Sequence, residues 1–366
     1  MPIYMDRHDV SESVTAEIVA ELHQKDLKVQ HKFGCRGLTY WFDDERKTAF
    51  CLIEAPNEEK LKEMHDHAHG QVPHRIIEVE PSIVESFLGR IEDPVKAKNT
   101  ALNIINDPAF RIIMLVEPEI HSYGNMNSTL QHFHSGDYEK QVAELVQDFE
   151  GRMVSSEGNR FLISFRSVSQ AVQCALELES SVKQSLEDVS ESHVKMKIAL
   201  NAGVPVNEKG SFFESTVRQA ESMYFINSGI IVTEEINDLY RSENSFLSEF
   251  HKQIFVLPAI DHTFLNHLMD FTDKEYQNAS LTVKDFQLHL GLSKTQLYRK
   301  MKTLTGNSPN NFLLLFRLKR ILHLLHRNTE SISEIAYSGG FSSPSYFAKC
   351  FRKVYGLSPS VYKTLI

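Results

Sequence analysis

One short pattern occurs twice in residues 281–366, and this repeat constrains the fold more than any other feature of the 366-residue chain. In the first copy Thr282-Val283-Lys284-Asp285 opens a helical run to Leu290, and Gly291-Leu292-Ser293 leads into a second run to Leu304. Gly306-Asn307-Ser308-Pro309 closes the copy, with Phe312 beyond it. In the second copy Ser331-Ile332-Ser333-Glu334 opens a run to Ser338. Gly340-Phe341-Ser342-Ser343 leads into a run to Tyr355, and Gly356-Leu357-Ser358-Pro359 closes it before Tyr362. The closing halves align at a constant offset of 50 residues.

Each punctuation mark has a physical reason. Thr282 with Asp285, and Ser331 with Glu334, are capping boxes that satisfy free N–H groups at helix starts. Gly291 and Gly340 suit a tight turn between two helices, where a positive φ is needed. Ser293 and Ser343 are N-caps, and Pro344 fits the first helical position. Gly306 and Gly356 stand where helices end, each ahead of a Ser-Pro. Each copy is therefore expected to be a helix-turn-helix. Residues 309–327 read as one helix between them, about 28 Å long at 1.5 Å per residue. That length is close to the ~34 Å between successive major grooves on one face of B-DNA.

Charge supports the same reading. Residues 281–366 hold 13 Lys and Arg against Asp285, Glu330 and Glu334, a balance of +10. The whole chain is −9, so residues 1–280 carry −19. A basic end on an acidic body is the electrostatic pattern of a nucleic-acid-binding module attached to something that repels phosphate.

The motifs Leu292-Ser293-Lys294-x-x-Leu297-x-Arg299, Gly306-x-Ser308-Pro309, Ile335-Ala336 before Gly340-Phe341, and Ser345-Tyr346-Phe347-x-Lys349-x-Phe351-Arg352-Lys353 resemble the DNA-binding domain of AraC/XylS-type transcription regulators. The resemblance implies double-stranded DNA and RNA polymerase as partners. It places the groove-facing positions on Thr295, Tyr298 and Arg299 in the first unit, and on Ser345, Tyr346 and Lys349 in the second. Arg299 has the chemistry for a bidentate contact to guanine O6 and N7, and Lys349 for a weaker one. Lys294, Lys302, Arg352 and Lys353 lie near helix ends and flanks, where phosphate contact is expected. Phe347 stands where the first copy has Leu297 and is expected in the core. Tyr346 suits either core or groove.

The middle of the chain reads as a mixed α/β unit. The segment Glu150–Phe165, the helix that follows Ser169, Ile198–Gly203 and Val217–Glu221 resemble class III nucleotide cyclases over roughly residues 99–260. Those enzymes hold a metal pair with two aspartates. This chain has Glu117 at the first position and Asn159 at the second, and a neutral amide is a poor substitute for a bridging carboxylate. Val217–Glu221 also lacks the Asn that in those enzymes precedes an Ala-Arg pair. The expectation is a noncatalytic relative kept for dimerisation or ligand sensing. The chain is thus not read as an enzyme, with a cyclase carrying a DNA-binding tail as the alternative.

Residues 1–92 read β-α-β-β-α-β, a ferredoxin-like sandwich. Strands are expected at 3–8, 38–42, 48–54 and 74–80, and helices at 15–30 and 57–68, before a linker at Asp93-Pro94 and the polar stretch after it. Seven of the 17 histidines lie here, and His65 and His69 are spaced i, i+4 on one helix face, a common half of a metal site. The order Tyr4-Met-Asp6-Arg-His8, His23-x-x-Asp26, Cys51-Leu-Ile-Glu54 and His65 resembles a family of small ferredoxin-like proteins described as nickel-binding. Asp6 and His8 share a strand face. A transition-metal site is expected from His8, Cys51, Glu54, His65 and His69, with nickel or zinc as its metal, since imidazole alone does not choose. A metal-buffering protein is the further alternative.

The expected architecture is therefore multidomain α+β: residues 1–92, 99–260 and 261–366. No apolar run approaches the ~18–20 residues of a membrane span, and the N-terminus lacks a signal-peptide core. The four cysteines, Cys35, Cys51, Cys174 and Cys350, form no CxxC pair. A cytoplasmic, homodimeric regulator with no membrane partner is the expectation, its acidic body sensing a metal ion or small ligand.

Overall fold

Successive side chains of the first strands point to opposite faces of one sheet, both faces are buried, and the rest of the fold is built on them. The computed structural model of the chain describes residues 1–94, 102–122, 136–157, 159–186, 192–208, 210–244, 252–327 and 331–365. The polar stretch after Pro94 and Gly158 of the central hairpin turn lie outside the described residues.

The first unit runs β1 (Ile3–Asp9), α1 (Ala16–Val29), β2 (Arg36–Asp43), β3 (Thr48–Glu54), α2 (Glu58–His69) and β4 (Arg75–Glu78), the expected order. Its sheet is antiparallel in the order β2-β3-β1-β4. Tyr4, Tyr40, Cys51 and Ile53 point to the face covered by Val19 of α1 and by Leu61 and Met64 of α2. Met5, Trp41, Phe50 and Leu52 point to the other face, against α3 (Pro81–Leu88) and the central unit. Helix α3 follows the sheet and was not expected. Its Pro81 occupies a helix-start position and Gly89 (φ 85°) ends it.

The central unit contains β5 (Arg111–Ser122), α4 (Gly136–Asp148), β6 (Arg152–Glu157), β7 (Arg160–Phe165), α5 (Val168–Leu186), β8 (Ser192–Gly203), α6 (Glu214–Met223), β9 (Ile230–Thr233), α7 (Glu234–Glu243) and β10 (Ile254–Leu257). Its sheet has the order β10-β9-β8-β5-β7-β6. The four strands β8-β5-β7-β6 repeat the arrangement of the first sheet, and β9 and β10 extend it by parallel pairing. Ile112, Met114 and Val116 face the α4, α5 and α7 side, whereas Leu115 faces the C-terminal helices. Strand β5 runs beyond Val116 and carries Glu117 and Glu119 to the boundary with those helices.

Helix α8 (Ala259–Glu275) leads into α9 (Val283–Leu290), α10 (Lys294–Thr305), α11 (Pro309–Arg327), α12 (Ile332–Ser338), α13 (Pro344–Tyr355) and α14 (Pro359–Leu365). Both capping boxes form: Asp285 accepts from the Thr282 N–H at 2.8 Å, and Glu334 from the Ser331 N–H at 2.8 Å. Gly291 (φ 64°) and Gly340 (φ 80°) take the left-handed conformation that the inter-helix turns require.

Candidate metal centre and DNA interface

Strand period and helix period together assemble a cluster between the first sheet and its two helices. Asp6 and His8 alternate along β1, Cys51 lies opposite Asp6 on β3, and all three face the helices. From α1 comes Asp26, and from α2 come His65 and His69, one turn apart.

The side chains form a chain of contacts. Asp6 lies 3.3 Å from His8 Nε2 and 2.8 Å from His65 Nε2, and it accepts from the Cys51 N–H at 3.0 Å. His65 Nδ1 lies 3.2 Å from Asp26, which also meets His69 Nε2 at 3.2 Å. Two donor triads result, Asp6/His8/Cys51 and Asp26/His65/His69, each with its donor atoms within 4.8 Å of one another. Imidazole, carboxylate and thiol donors in such sets fit a borderline divalent metal such as nickel or zinc.

Electrostatics explain how this buried set is tolerated. Burial by itself would raise the Asp6 pKa, but His8 and His65 hold it well below the usual carboxylate range. Burial would lower His65, yet Asp6 and Asp26 on either side push it up to about 10. Burial and the neighbouring carboxylates Asp6 and Asp26 raise the Cys51 thiol well above its ordinary value.

Of the residues expected from sequence, His8, Cys51, His65 and His69 come together, whereas Glu54 does not join them. Glu54 is three residues from Cys51 on the same strand, an odd spacing that turns it to the opposite face, where it approaches Arg36 and the N-terminal amine. Asp6 and Asp26 were missing from the expected ligand set. The i, i+2 spacing of Asp6 and His8 was the signal for the first, and the His23-x-x-Asp26 element of the resemblance for the second, although no local spacing ties α1 to α2.

At the C-terminal end, capping and burial orient the second helix of each unit. The Ser293 hydroxyl accepts from the Gln296 N–H at 3.3 Å, and Leu297, Met301 and Leu304 face inward. Thr295, Tyr298, Arg299 and Lys294 are exposed. In the second unit Phe347, Cys350 and Phe351 are buried, while Ser345, Tyr346, Lys349, Arg352 and Lys353 are exposed. Tyr346 is 55% exposed and Phe347 0%, so of the two only Phe347 is core. Among the described residues Lys294, Arg299, Lys349, Arg352 and Lys353 form no ion pair, leaving five of the expected DNA-contacting cations free for phosphate or base edges. Lys302 instead donates to the Gly306 carbonyl at 2.7 Å and closes its own helix.

In the central unit Glu117 is buried and its carboxylate is taken up by Lys319 of α11 at 2.7 Å. Arg160 pairs with Glu221, and Asn159 lines the space beside them.

Residues 4–79 match the family described as nickel responsive protein SCO4226-like, and residues 288–364 match a helix-turn-helix domain family. The chain is similar to histidine kinase P4 of Formosa agariphila, 38% identical over 107 residues, which is 29% of this chain and 8% of that protein. It is also similar to the transcriptional activator RhaS of Escherichia fergusonii, 33% identical over 26% of this chain and 34% of that protein. The chain therefore spans less than half the length of these relatives. The crystal structure of SCO4226 from Streptomyces coelicolor A3(2) covers 21% of this chain and 94% of its own, at 30% identity and a TM-score of 0.20. No helix among the described residues is long and apolar enough to cross a membrane. The chain carries a helix-turn-helix DNA-binding domain of the AraC type at its C-terminal end and a domain of the nickel-responsive SCO4226-like family at its N-terminal end.

Proposed function

We propose that this protein is a metal-responsive transcription regulator: the first unit takes up nickel or zinc, and the C-terminal units read operator DNA. One observation supports this most. A repeated helix-turn-helix with exposed cations is attached to a body that holds two buried His- and Asp-containing donor triads.

His8, Cys51, His65 and His69, joined by Asp6 and Asp26, are the side chains that would hold the metal. The Asp6/His8/Cys51 triad would hold a metal against β1 and β3, and the Asp26/His65/His69 triad would hold one between α1 and α2. Arg7, between Asp6 and His8 on β1, points to the other face and donates to the Val206 carbonyl at 3.1 Å. The strand that carries the donors thereby also touches the central unit.

Thr295, Tyr298, Arg299, Ser345, Tyr346 and Lys349 are assigned to the grooves. Lys294, Lys302, Arg352 and Lys353 are assigned to phosphates, with Lys302 doing so only when it leaves Gly306. The central unit is read as a noncatalytic cyclase-like domain. Asn159 replaces one metal-bridging acid, and Lys319 occupies the other acid, Glu117. We further assign the protein to the cytoplasm, as a homodimer acting on RNA polymerase.

The test has two stages. Metal and nucleotide content of the purified full chain is measured first. Binding to DNA fragments selected by the protein itself is then compared with and without added Ni²⁺ or Zn²⁺. A metal-dependent change of at least tenfold in DNA affinity supports the reading. Equal affinity in the metal-loaded and chelated forms would sink the metal-sensing half of it.

A further inference from the structure

The two helix-turn-helix units meet the central sheet differently. The first shares one continuous apolar core with it: Leu297, Met301 and Leu304 cluster with Leu115, Ala199 and Met223, joined by Phe312 and Phe316 of α11. The second has its own core of Leu318, Ile321, Phe347 and Phe351. Between the second unit and the sheet lies a cavity of about 300 Å³, a size at which small molecules bind. Its floor is Glu117, Glu119 and Lys197 of β5 and β8, and its roof is Lys319, Tyr355 and Tyr362 of α11, α13 and α14.

The cavity wall already holds an ammonium group. Lys319 Nζ is 2.7 Å from a Glu117 oxygen and 2.7 Å from the centroid of the Tyr224 ring, with Phe225 5.7 Å away. A carboxylate on one side and an aromatic face on the other is the arrangement that selects ammonium ions. Tyr224 has a second such group 6.0 Å away, Lys197, which lies 3.5 Å from Glu119 and donates to the Ile226 carbonyl at 2.5 Å. The cations of the wall are committed: Lys319 to Glu117, Lys197 to Glu119 and Arg160 to Glu221. An incoming anion would have to break such a pair and face the freed carboxylate. An incoming ammonium has only to replace one that is there.

Lys319 is the replaceable one. It comes from the DNA-binding end, its side chain is 15% exposed, and burial pulls its pKa down to about 8 although Glu117 pulls the other way. A free alkylamine would meet the same burial there but brings no helix with it.

We propose that this cavity binds small aliphatic amines, whose ammonium takes the place of Lys319 Nζ between Glu117 and Tyr224, and that occupancy loosens the hold of the second helix-turn-helix unit on the central sheet. This is a second effector site, independent of the metal reading.

Lys319→Ala in the full chain tests it, because the variant leaves the carboxylate and the ring without their ammonium. Ethylammonium and 1,4-diaminobutane are titrated against it by calorimetry and thermal unfolding, with 1-propanol and inorganic phosphate as controls. The expected result is binding at least tenfold tighter than to the unaltered chain, with a rise in unfolding temperature. Adding Glu117→Gln should abolish both, while leaving Ni²⁺ titration of the first unit unchanged. Lys319→Ser, which also removes the ammonium and leaves its space open, serves as a second background should the alanine variant fail to fold. Absence of amine binding in the folded background, equal binding after Glu117→Gln, or a preference for phosphate overturns the proposal.

Discussion

His65, 1% exposed and lying between Asp6 and Asp26, is the residue on which the first unit's buried charge depends. His65→Ala leaves two buried carboxylates without their shared partner, which costs about 3–5 kcal/mol. The expected outcome is a markedly lower unfolding temperature together with Ni²⁺ binding at least tenfold weaker, both read on the same sample. Glu54→Gln, on the opposite face of the strand, should leave Ni²⁺ affinity where it was, and a loss there would return Glu54 to the site. At the other end, Arg299→Ala is expected to cost about 1–3 kcal/mol on the operator and to relax preference at one base pair. Arg352→Ala should weaken operator and random DNA by similar factors. Titrations on both DNAs separate the two roles, and a uniform loss for Arg299→Ala would move that residue to the phosphates.

At the scale of elements, the two turn glycines are chemically alike in sequence and different in surroundings. Gly291 has φ 64° and open space where a Cβ would stand, so Gly291→Ala should cost only the left-handed strain, about 1–2 kcal/mol. Gly340 has φ 80°, and a Cβ there would run into the Tyr276 carbonyl and the Arg317 side chain. Arg317 is the residue that donates to the Tyr276 carbonyl at 2.8 Å and the Asn278 carbonyl at 2.7 Å, tying α11 to the end of α8. Gly340→Ala should therefore lower the unfolding temperature more than Gly291→Ala, and equal losses would mean that the approach to Tyr276 contributes nothing. The need for glycine was legible from the repeat. The close approach was not, because it joins residues more than sixty positions apart in sequence.

At the scale of the whole molecule, the C-terminal units are not separable where the composition changes. Phe286, Leu297 and Met301 share a core with Leu265, Leu268 and Met269 of α8. A fragment of residues 281–366 leaves that apolar surface bare, and one of residues 259–366 covers it in part. The shorter fragment should unfold at lower temperature and aggregate sooner, as light scattering during heating would reveal. Lys319 adds a pH dependence. Its folded pKa of about 8 lies below the ordinary lysine value, so the unfolded chain binds more protons above pH 8. Its contribution to stability should rise between pH 8 and about 9.5, by on the order of 1–2 kcal/mol. His323 beside it is lowered by burial to about 4, below that window. Tyr224 and Tyr355 are raised by burial and oppose the trend only at higher pH. Lys319→Met should flatten the rise in chemical unfolding measured across that window. A slope unchanged by the substitution would assign it to another group.

Local rules were enough to read the repeat, the capping boxes of Thr282 and Ser331, the turn at Gly291, and the strand-helix order of residues 1–80, though not the helix Pro81–Leu88 that follows. These depend on neighbours three or four positions away, and the residue types themselves carry that information. The i, i+4 pair of His65 and His69 was legible for the same reason. Asp26 joined them only because α1 and α2 pack side by side on one sheet. Strand pairing placed Cys51 opposite Asp6, and strand period turned Glu54 away from it. The contact of Lys319 with Glu117 spans 202 positions and depends on how two separately patterned units dock. Charge composition marked a basic end and an acidic body, but the docked fold selects which cations stay free for DNA and which are spent on the body's carboxylates. That selection depends on burial and distance, which local pattern does not encode.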